Sequence, residues 1–455
     1  MKEFASLTLL LLAAVACSAR IHHHEFRNKT SHAAVPDMQM TDWVLAAHGS
    51  TRMRANGKGK DWDTKFHQAN FHYPTFSVPF NEGPVLPAGV NHRTSDNHIH
   101  VPILGATSYP GSTEWPAGGA NRKWTPPMIW EIDGNTGKTV RIYDLSEYSA
   151  CFNSVVRYTN DGYPFIALYA GKTGKGSTPI AVLDAESDKV LDVYSDDSTE
   201  PMLLQITNTE PQQIIWAALD ANAGVSLTGH EVDASSYVRT TDTSTIIFGA
   251  DGQTIYNNGF FNHDTGIFKF ALPLTSHLKQ DYFVSGCNTR PWVMASDTKG
   301  NAFALCGNLN AYDANGKQRW SVSDSGNPSF LVLSDAEDVL FAGNGQYIKG
   351  LSPESGEVLW SIAASEFGGS IPVSAQPWAP RYPIPLPTGN LAVLVVNGGV
   401  HSIALLDSHT GKIVKGGVTF DFAPQMLTAD NSNNVYAFGN EDGYLKVQRK
   451  SLGES

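Results

Sequence analysis

A short apolar strand ending in Asp, a tight turn that contains Gly, and a second strand recur along this chain. The clearest copies are Ile132-Asp133-Gly134-Asn135-Thr136-Gly137-Lys138 and Leu406-Asp407-Ser408-His409-Thr410-Gly411-Lys412. Leu351-Ser352-Pro353-Glu354-Ser355-Gly356-Glu357 keeps the frame with Ser for Asp, and Tyr312-Asp313-Ala314-Asn315-Gly316-Lys317 is one residue shorter. Weaker copies are Leu183-Asp184 with Ser187-Asp188-Lys189, Leu219-Asp220 with Ala223-Gly224, and His263-Asp264-Thr265-Gly266. The chemistry of the spacing is that of a hairpin. Asp or Ser at the first turn position accepts N–H groups from the residues that follow, and Gly takes the left-handed conformation that returns the chain to the sheet. Trp320 and Trp360 follow their turns by a few residues, where a large ring packs between neighbouring sheets.

The copies fall at intervals of 36 to 55 residues, averaging about 46, the length of one four-stranded propeller blade. One blade cannot bury both its faces, so stacking around a ring is required. The expected fold is therefore all-β, a β-propeller of seven or eight four-stranded blades. After Asp407 only three strand-like runs remain, Met426 to Ala429, Asn434 to Phe438 and Tyr444 to Gln448. A strand from the N-terminal region, with Phe71 to Val78 as the candidate, is expected to complete that blade and hide the ring's open edges. Composition agrees: 41 Gly, 25 Pro and only 17% charged residues favour short strands and turns over amphipathic helices.

These residues resemble the quinoprotein-like, PQQ-repeat β-propeller superfamily, whose repeat reads approximately Ala-x-Asp-x-x-Thr-Gly-x-x-x-Trp. Leu351 to Trp360 and Tyr312 to Trp320 match it well, while the Asp133 and Asp407 copies match the turn and lack the Trp. The resemblance spans about residues 98 to 448. It implies the architecture. Among its dehydrogenases it further implies PQQ and calcium in a central channel, a catalytic Asp and commonly an adjacent Cys-Cys disulfide. This chain has no adjacent cysteines and no legible Glu/Asn/Asp metal set. Other members of the superfamily are non-enzymatic scaffolds, and a fold by itself does not give a function.

Residues 1–19 read as a signal peptide: Lys2, an apolar run from Leu7 to Ala16, then the small residues Cys17, Ser18 and Ala19. The run is too short to span a bilayer and no later segment is long enough, so no membrane span is expected. Residues 20–80 read as an irregular, His-rich arm and 81–455 as the propeller. Export places the mature chain outside the cell, or in the periplasm of a bacterium. Asn28-Lys29-Thr30 forms a glycosylation sequon. Of Cys151, Cys287 and Cys306, the last two are near enough in sequence to bridge adjacent strands, and three buried thiols is the alternative. A net charge of −12 argues against nucleic acid as a partner.

Candidate chemistry is sparse. His98 and His100 alternate and so share a face of a strand, and with His92 nearby they form a candidate metal site; hydrogen-bonded or exposed loop histidines are the simpler account. Asn160-Asp161-Gly162, Asp251-Gly252 and Asn440-Glu441-Asp442-Gly443 read as turns rather than calcium loops. No Gly-x-Ser-x-Gly elbow or complete P-loop occurs. Two aromatic, proline-containing loops stand out, one with Trp115 and Trp124 and one with Trp378, Arg381 and Tyr382. Long loops on a rigid scaffold bind partners or fold back over it. The expectation is a secreted binding or scaffold propeller for a protein or glycan partner. The alternative is a quinone- or metal-dependent oxidoreductase with its site in the channel.

Overall fold

A computed structural model of the chain describes residues 61–66, 85–87, 91–93, 97–105, 128–144, 153–158, 164–169, 180–184, 190–194, 200–206, 213–220, 224–231, 237–240, 246–248, 254–261, 264–274, 280–285, 294–323, 328–373, 383–430, 432–441 and 444–452. Among these residues the architecture is all-β. The strands form eight antiparallel sheets, and the one helical piece is a 3-10 turn at Ala364–Phe367. Seven sheets are four-stranded, as in propeller blades, and one carries a fifth short strand.

Sheet I holds Val85–Pro87, His98–Gly105, Met128–Asp133 and Thr139–Asp144, with Asn91–Arg93 paired beside His98–Gly105. Sheets II, III and IV occupy Asn153–Tyr194, Glu200–Thr240 and Ile246–Ser285. Sheet V runs from Met294–Ser296 to Gln318–Val322, sheet VI from Phe330–Leu333 to Val358–Ala363, and sheet VII from Ile384–Pro385 to Ile413–Phe420. Sheet VIII takes three strands from the C-terminal end, Pro424–Ala429, Asn434–Glu441 and Tyr444–Ser451. Its fourth is Trp62–Phe66, antiparallel to Tyr444–Ser451 with Trp62 opposite Arg449. Phe71 to Val78, the candidate for this strand, lies outside the described residues. The strand that pairs comes from earlier in the chain, within the segment read as an irregular arm.

The repeat joins the third strand of a sheet to the fourth. That holds for the turns at Asp133, Asp313, Ser352 and Asp407, and for the weaker copy at Asp184. The copies at Asp220 and Asp264 fall instead between second and third strands. An Asp followed by Gly suits any tight hairpin, so the pattern alone does not reveal which hairpin it closes. In the clear copies the expected bonds are present. Asp133 Oδ1 accepts from the N–H of Asn135 at 2.8 Å, and Asp313 Oδ1 accepts from Asn315 and Lys317 at 2.9 Å each. Asp407 Oδ1 accepts from the N–H of Thr410 and from its hydroxyl, both at 2.8 Å. The repeat glycines Gly356 and Gly411 have φ of 74° and 67°, a region that costs a residue with a Cβ about 1–2 kcal/mol.

Two tryptophans lock sheet V to sheet VI and sheet VI to sheet VII. Trp320, in sheet V, donates its indole N–H to the carbonyl of Pro353 in the turn of sheet VI at 2.9 Å. Trp360, in sheet VI, donates to the carbonyl of Ser408 in the turn of sheet VII at 2.7 Å. Each acceptor is the residue directly after the turn's Ser or Asp. Lys269 Nζ reaches the corresponding carbonyl of Ala314 from sheet IV at 3.2 Å. Small residues make room for the rings: Trp320 lies opposite Ala311 and Trp360 opposite Gly350. A Cβ on Gly350 would come within 2.4 Å of the Trp360 ring, and one on Gly411 within 2.5 Å of it. Apolar cores fill the spaces between sheets V and VI, VI and VII, and VII and VIII, including Phe303 and Leu340, Phe341 and Val393, and Leu394 and Val435.

At sheet VIII the two distant chain segments reproduce the repeat. In intact turns the N–H of Asp133 and Asp407 donates to the carbonyl of Lys138 and Lys412, at 2.9 Å in both. Ser451 N–H instead donates to the Asp61 carboxylate at 2.7 Å, so a side chain stands in for the missing turn carbonyl. Leu452 N–H bonds the Asn433 carbonyl at 3.0 Å, as Gly134 bonds Asn97 and Ser408 bonds Gly389 in their own sheets. Trp62 opposite Arg449 then holds the register position of Trp320 and Trp360.

Candidate functional site

Antiparallel order gives each sheet two unlike ends. The turns between first and second and between third and fourth strands lie at one, the capped end. The hairpins between second and third strands and the connectors to the next sheet lie at the other, the connector end.

At the capped end many polar groups of the described residues are engaged in bonds to one another. Asp430 is fully buried and accepts from Ser432 N–H, Asn434 N–H, the Asn434 amide and the Tyr436 hydroxyl, the last at 2.8 Å. Burial, followed by the Asp430 charge, pushes the Tyr436 phenol far above its ordinary range. The Thr410 hydroxyl, chiefly, holds the Asp407 carboxyl below the usual carboxylate range. Burial opposes ionisation of Asp133, but the N–H of Asn135 and the bonds from Thr136 outweigh it and leave its pKa lowered. Further bonds cross between sheets. Thr298 donates from backbone and hydroxyl to Glu337 at 2.8 and 2.7 Å, Arg319 pairs with Glu354, His409 Nε2 meets Asp338 at 2.8 Å, and Tyr256 donates to the Gly300 carbonyl at 3.0 Å.

The three histidines of the candidate metal site fall in sheet I. His98 Nδ1 lies 2.7 Å from a carboxylate oxygen of Glu131, which is 3% exposed. In register His100 lies opposite Glu131 and His98 opposite Asp133, whereas His92 lies opposite Ile99 and is out of step with the other two. Among the described residues no group of three or more His, Cys, Asp or Glu is placed to hold a metal ion. The carboxylates of Asp133, Asp313 and Asp407 accept backbone N–H groups of their own turns.

The connector end holds the roots of both aromatic loops. One root is Gly105 and Met128, the ends of the second and third strands of sheet I, with Ile103 opposite Met128. The other lies between sheets VI and VII. There the 3-10 turn is capped by Glu366, whose carboxylate accepts the Ala363 N–H at 3.0 Å. The chain next forms a two-bond bridge between Ser370 and Val396, at 2.9 Å in both directions. Gly369 permits this approach, since a Cβ there would strike the Val396 carbonyl. Ile371 on one side and Ile384 and Leu386 on the other are buried, so residues 374–382 start and end on a fixed base. Trp115, Trp124, Trp378, Arg381 and Tyr382 themselves lie outside the described residues, as do Asn28 and the signal segment.

No family model matches the chain, and no curated protein matches it. Among solved structures it is similar to the crystal structure of BamB from Moraxella catarrhalis. The TM-score is 0.44 at 14% identity, over 71% of this chain and 91% of that one.

Cys306, at the hairpin between the second and third strands of sheet V, is disulfide-bonded, and the Tyr312 hydroxyl lies 3.8 Å from its sulfur. Cys287 lies outside the described residues. Among the described residues no helix is long and apolar enough to cross a membrane. Sequence reasoning marked turns at Asn160-Asp161-Gly162, Asp251-Gly252 and Lys299-Gly300-Asn301, which fall between first and second strands, but it missed a frame that two such turns share. Asp297-Thr298-Lys299-Gly300-Asn301 and Asp430-Asn431-Ser432-Asn433-Asn434 share a frame in which the first Asp binds the final Asn, and the fourth residue has φ of 80° or 59°. That Asp-x-x-(Gly/Asn)-Asn spacing was legible as a second repeat.

Proposed function

We propose that the chain is an exported binding or scaffold propeller that takes a protein or glycan partner at its connector end. The eight sheets are read as eight blades closed into a ring by Trp62–Phe66. The observation that carries the functional reading is the placement of the loop roots. Both aromatic loops leave their sheets at the connector end, while much of the polar surface of the capped end is engaged in its own turns and cross-sheet bonds. Aromatic and Arg side chains on a rigid base are the usual anchors of a binding surface. Residues 1–19 are read as a cleaved signal peptide and Asn28 as a glycan carrier. The Cys306 disulfide fits an oxidising compartment, and Cys287 is its proposed partner.

The test uses the full secreted chain on a glycan array and against candidate extracellular proteins. It compares wild type with Trp378→Ala/Tyr382→Ala, Trp115→Ala/Trp124→Ala, and the capped-end variant Thr298→Ala. Binding lost in the loop variants and kept in Thr298→Ala is the expected result. Binding that survives both loop variants, or turnover of a quinone- or metal-dependent substrate by the purified protein, would overturn it.

A further inference from the structure

The charged group that stands out in the described residues is Lys446, on the third strand of sheet VIII. Its side chain is 3% exposed, yet its ammonium lies among three carboxylates from three separate segments. Asp421, between sheets VII and VIII, is at 2.8 Å. Glu441, at the end of the second strand, is at 3.2 Å. Asp63, on the N-terminal strand, is at 4.0 Å. The Phe422 ring covers the ammonium at 5.5 Å. Among the described residues, Lys450 also acts on Asp421, and Lys65 lies opposite Lys446 in register. Five residue pairs and the Asp61–Ser451 bond attach the N-terminal strand to its neighbour. A strand this short at a sheet edge opens readily unless something fixes it.

We propose that Lys446 is a latch that holds the N-terminal strand in the last sheet, and that breaking the latch frees this strand before any other part of the fold opens. This rests on reading Trp62–Phe66 as the closing strand. The buried ammonium depends on its carboxylates, because an unpaired charge out of water is costly. Burial opposes the charge on Lys446, but the bonds from Asp421 and Glu441 outweigh it and raise its pKa. Burial likewise opposes ionisation of Asp421, and the Lys446 bond outweighs it and lowers that pKa. A lowered carboxylate pKa means the contribution is whole above the ordinary value and is lost as pH falls through the folded one. The Asp421 share of the latch is therefore whole at neutral pH and is lost in acid, below about pH 4.

Hydrogen exchange read by mass spectrometry on the full chain tests this, with Asn390–Asp407 as internal reference. In Lys446→Met, exchange in Trp62–Phe66 is expected to rise about tenfold at neutral pH while the reference is unchanged. In wild type the same strand loosens below about pH 4, after correction for the intrinsic rate, and Lys446→Met lacks that step. Equal protection of the strand in wild type and Lys446→Met overturns the latch and leaves the closing strand standing. A strand unprotected even in wild type overturns both. Should Lys446→Met fail to fold, Asp63→Asn, altered at a solvent-facing carboxylate, must shift exchange in the same direction, and no shift there overturns the latch.

Discussion

Alanine at Gly411 tests whether one sheet is keyed to the next through the tryptophan. Two costs meet at that position. The φ of 67° strains any residue with a Cβ, by about 1–2 kcal/mol. The added Cβ would also come within 2.5 Å of the Trp360 ring, which lies equally close to Gly350 and is bonded to Ser408. Overpacking of that kind costs about 1–3 kcal/mol. Gly389 separates the two terms. It has a similar φ of 77°, with nothing within 4 Å of the site of its Cβ. Gly389→Ala should therefore cost about 1–2 kcal/mol and Gly411→Ala about 2–5 kcal/mol. The assay is urea unfolding followed by far-UV circular dichroism, which does not depend on indole fluorescence. Repeating both substitutions in a Trp360→Leu background removes the ring, and the gap between them should close. That non-additivity is the signature of a direct contact. Equal costs in the wild-type background, or a gap that persists without Trp360, would refute the idea that the ring is seated on Gly411.

Asp407→Ala should lower stability by about 1 kcal/mol at neutral pH through loss of the turn cap. Because the Thr410 hydroxyl leads the interactions that lower the Asp407 pKa, the gap from wild type should narrow as pH falls below about 4, measured as urea midpoints across pH. Gly369→Ala should break the Ser370–Val396 bridge and so weaken partner binding by residues 374–382, with a smaller shift in urea midpoint than Gly411→Ala; unchanged binding would argue against that loop as the contact. Peptide mapping without reduction should join the Cys306 peptide to that of Cys287, and a link to Cys151 would refute the proposed pairing.

The repeat was legible because its chemistry is local. An Asp that caps the next N–H groups and a Gly with positive φ act within six residues, so they leave a pattern in the sequence, and Asp133, Asp313, Ser352 and Asp407 show it with their bonds in place. The same locality explains the misplaced copies. Asp220 and Asp264 carry turn chemistry, but which two strands a turn joins is a property of the sheet and not of the turn. The aromatic loops were legible by composition, and their shared end became visible only from strand order. The histidines chosen for their nearness in sequence differ in register: pairing with His98–Gly105 sets His92 opposite Ile99, out of step with His98 and His100, while Glu131 of the next strand gives His98 a carboxylate partner.

The sequence by itself determined strands, turns, the spacing of the sheets and the need for a strand from the N-terminal side. Each of these follows from short-range sterics or from the length of a repeat that cannot bury its faces alone. Tertiary structure decided which segment supplies that strand, where Trp320 and Trp360 find their acceptors, and that Lys446 gathers Asp63, Asp421 and Glu441. Apart from Lys446–Glu441, five positions apart, those contacts join residues tens to hundreds of positions apart. Their partners are selected by the register and stacking of whole sheets, and no local pattern encodes that.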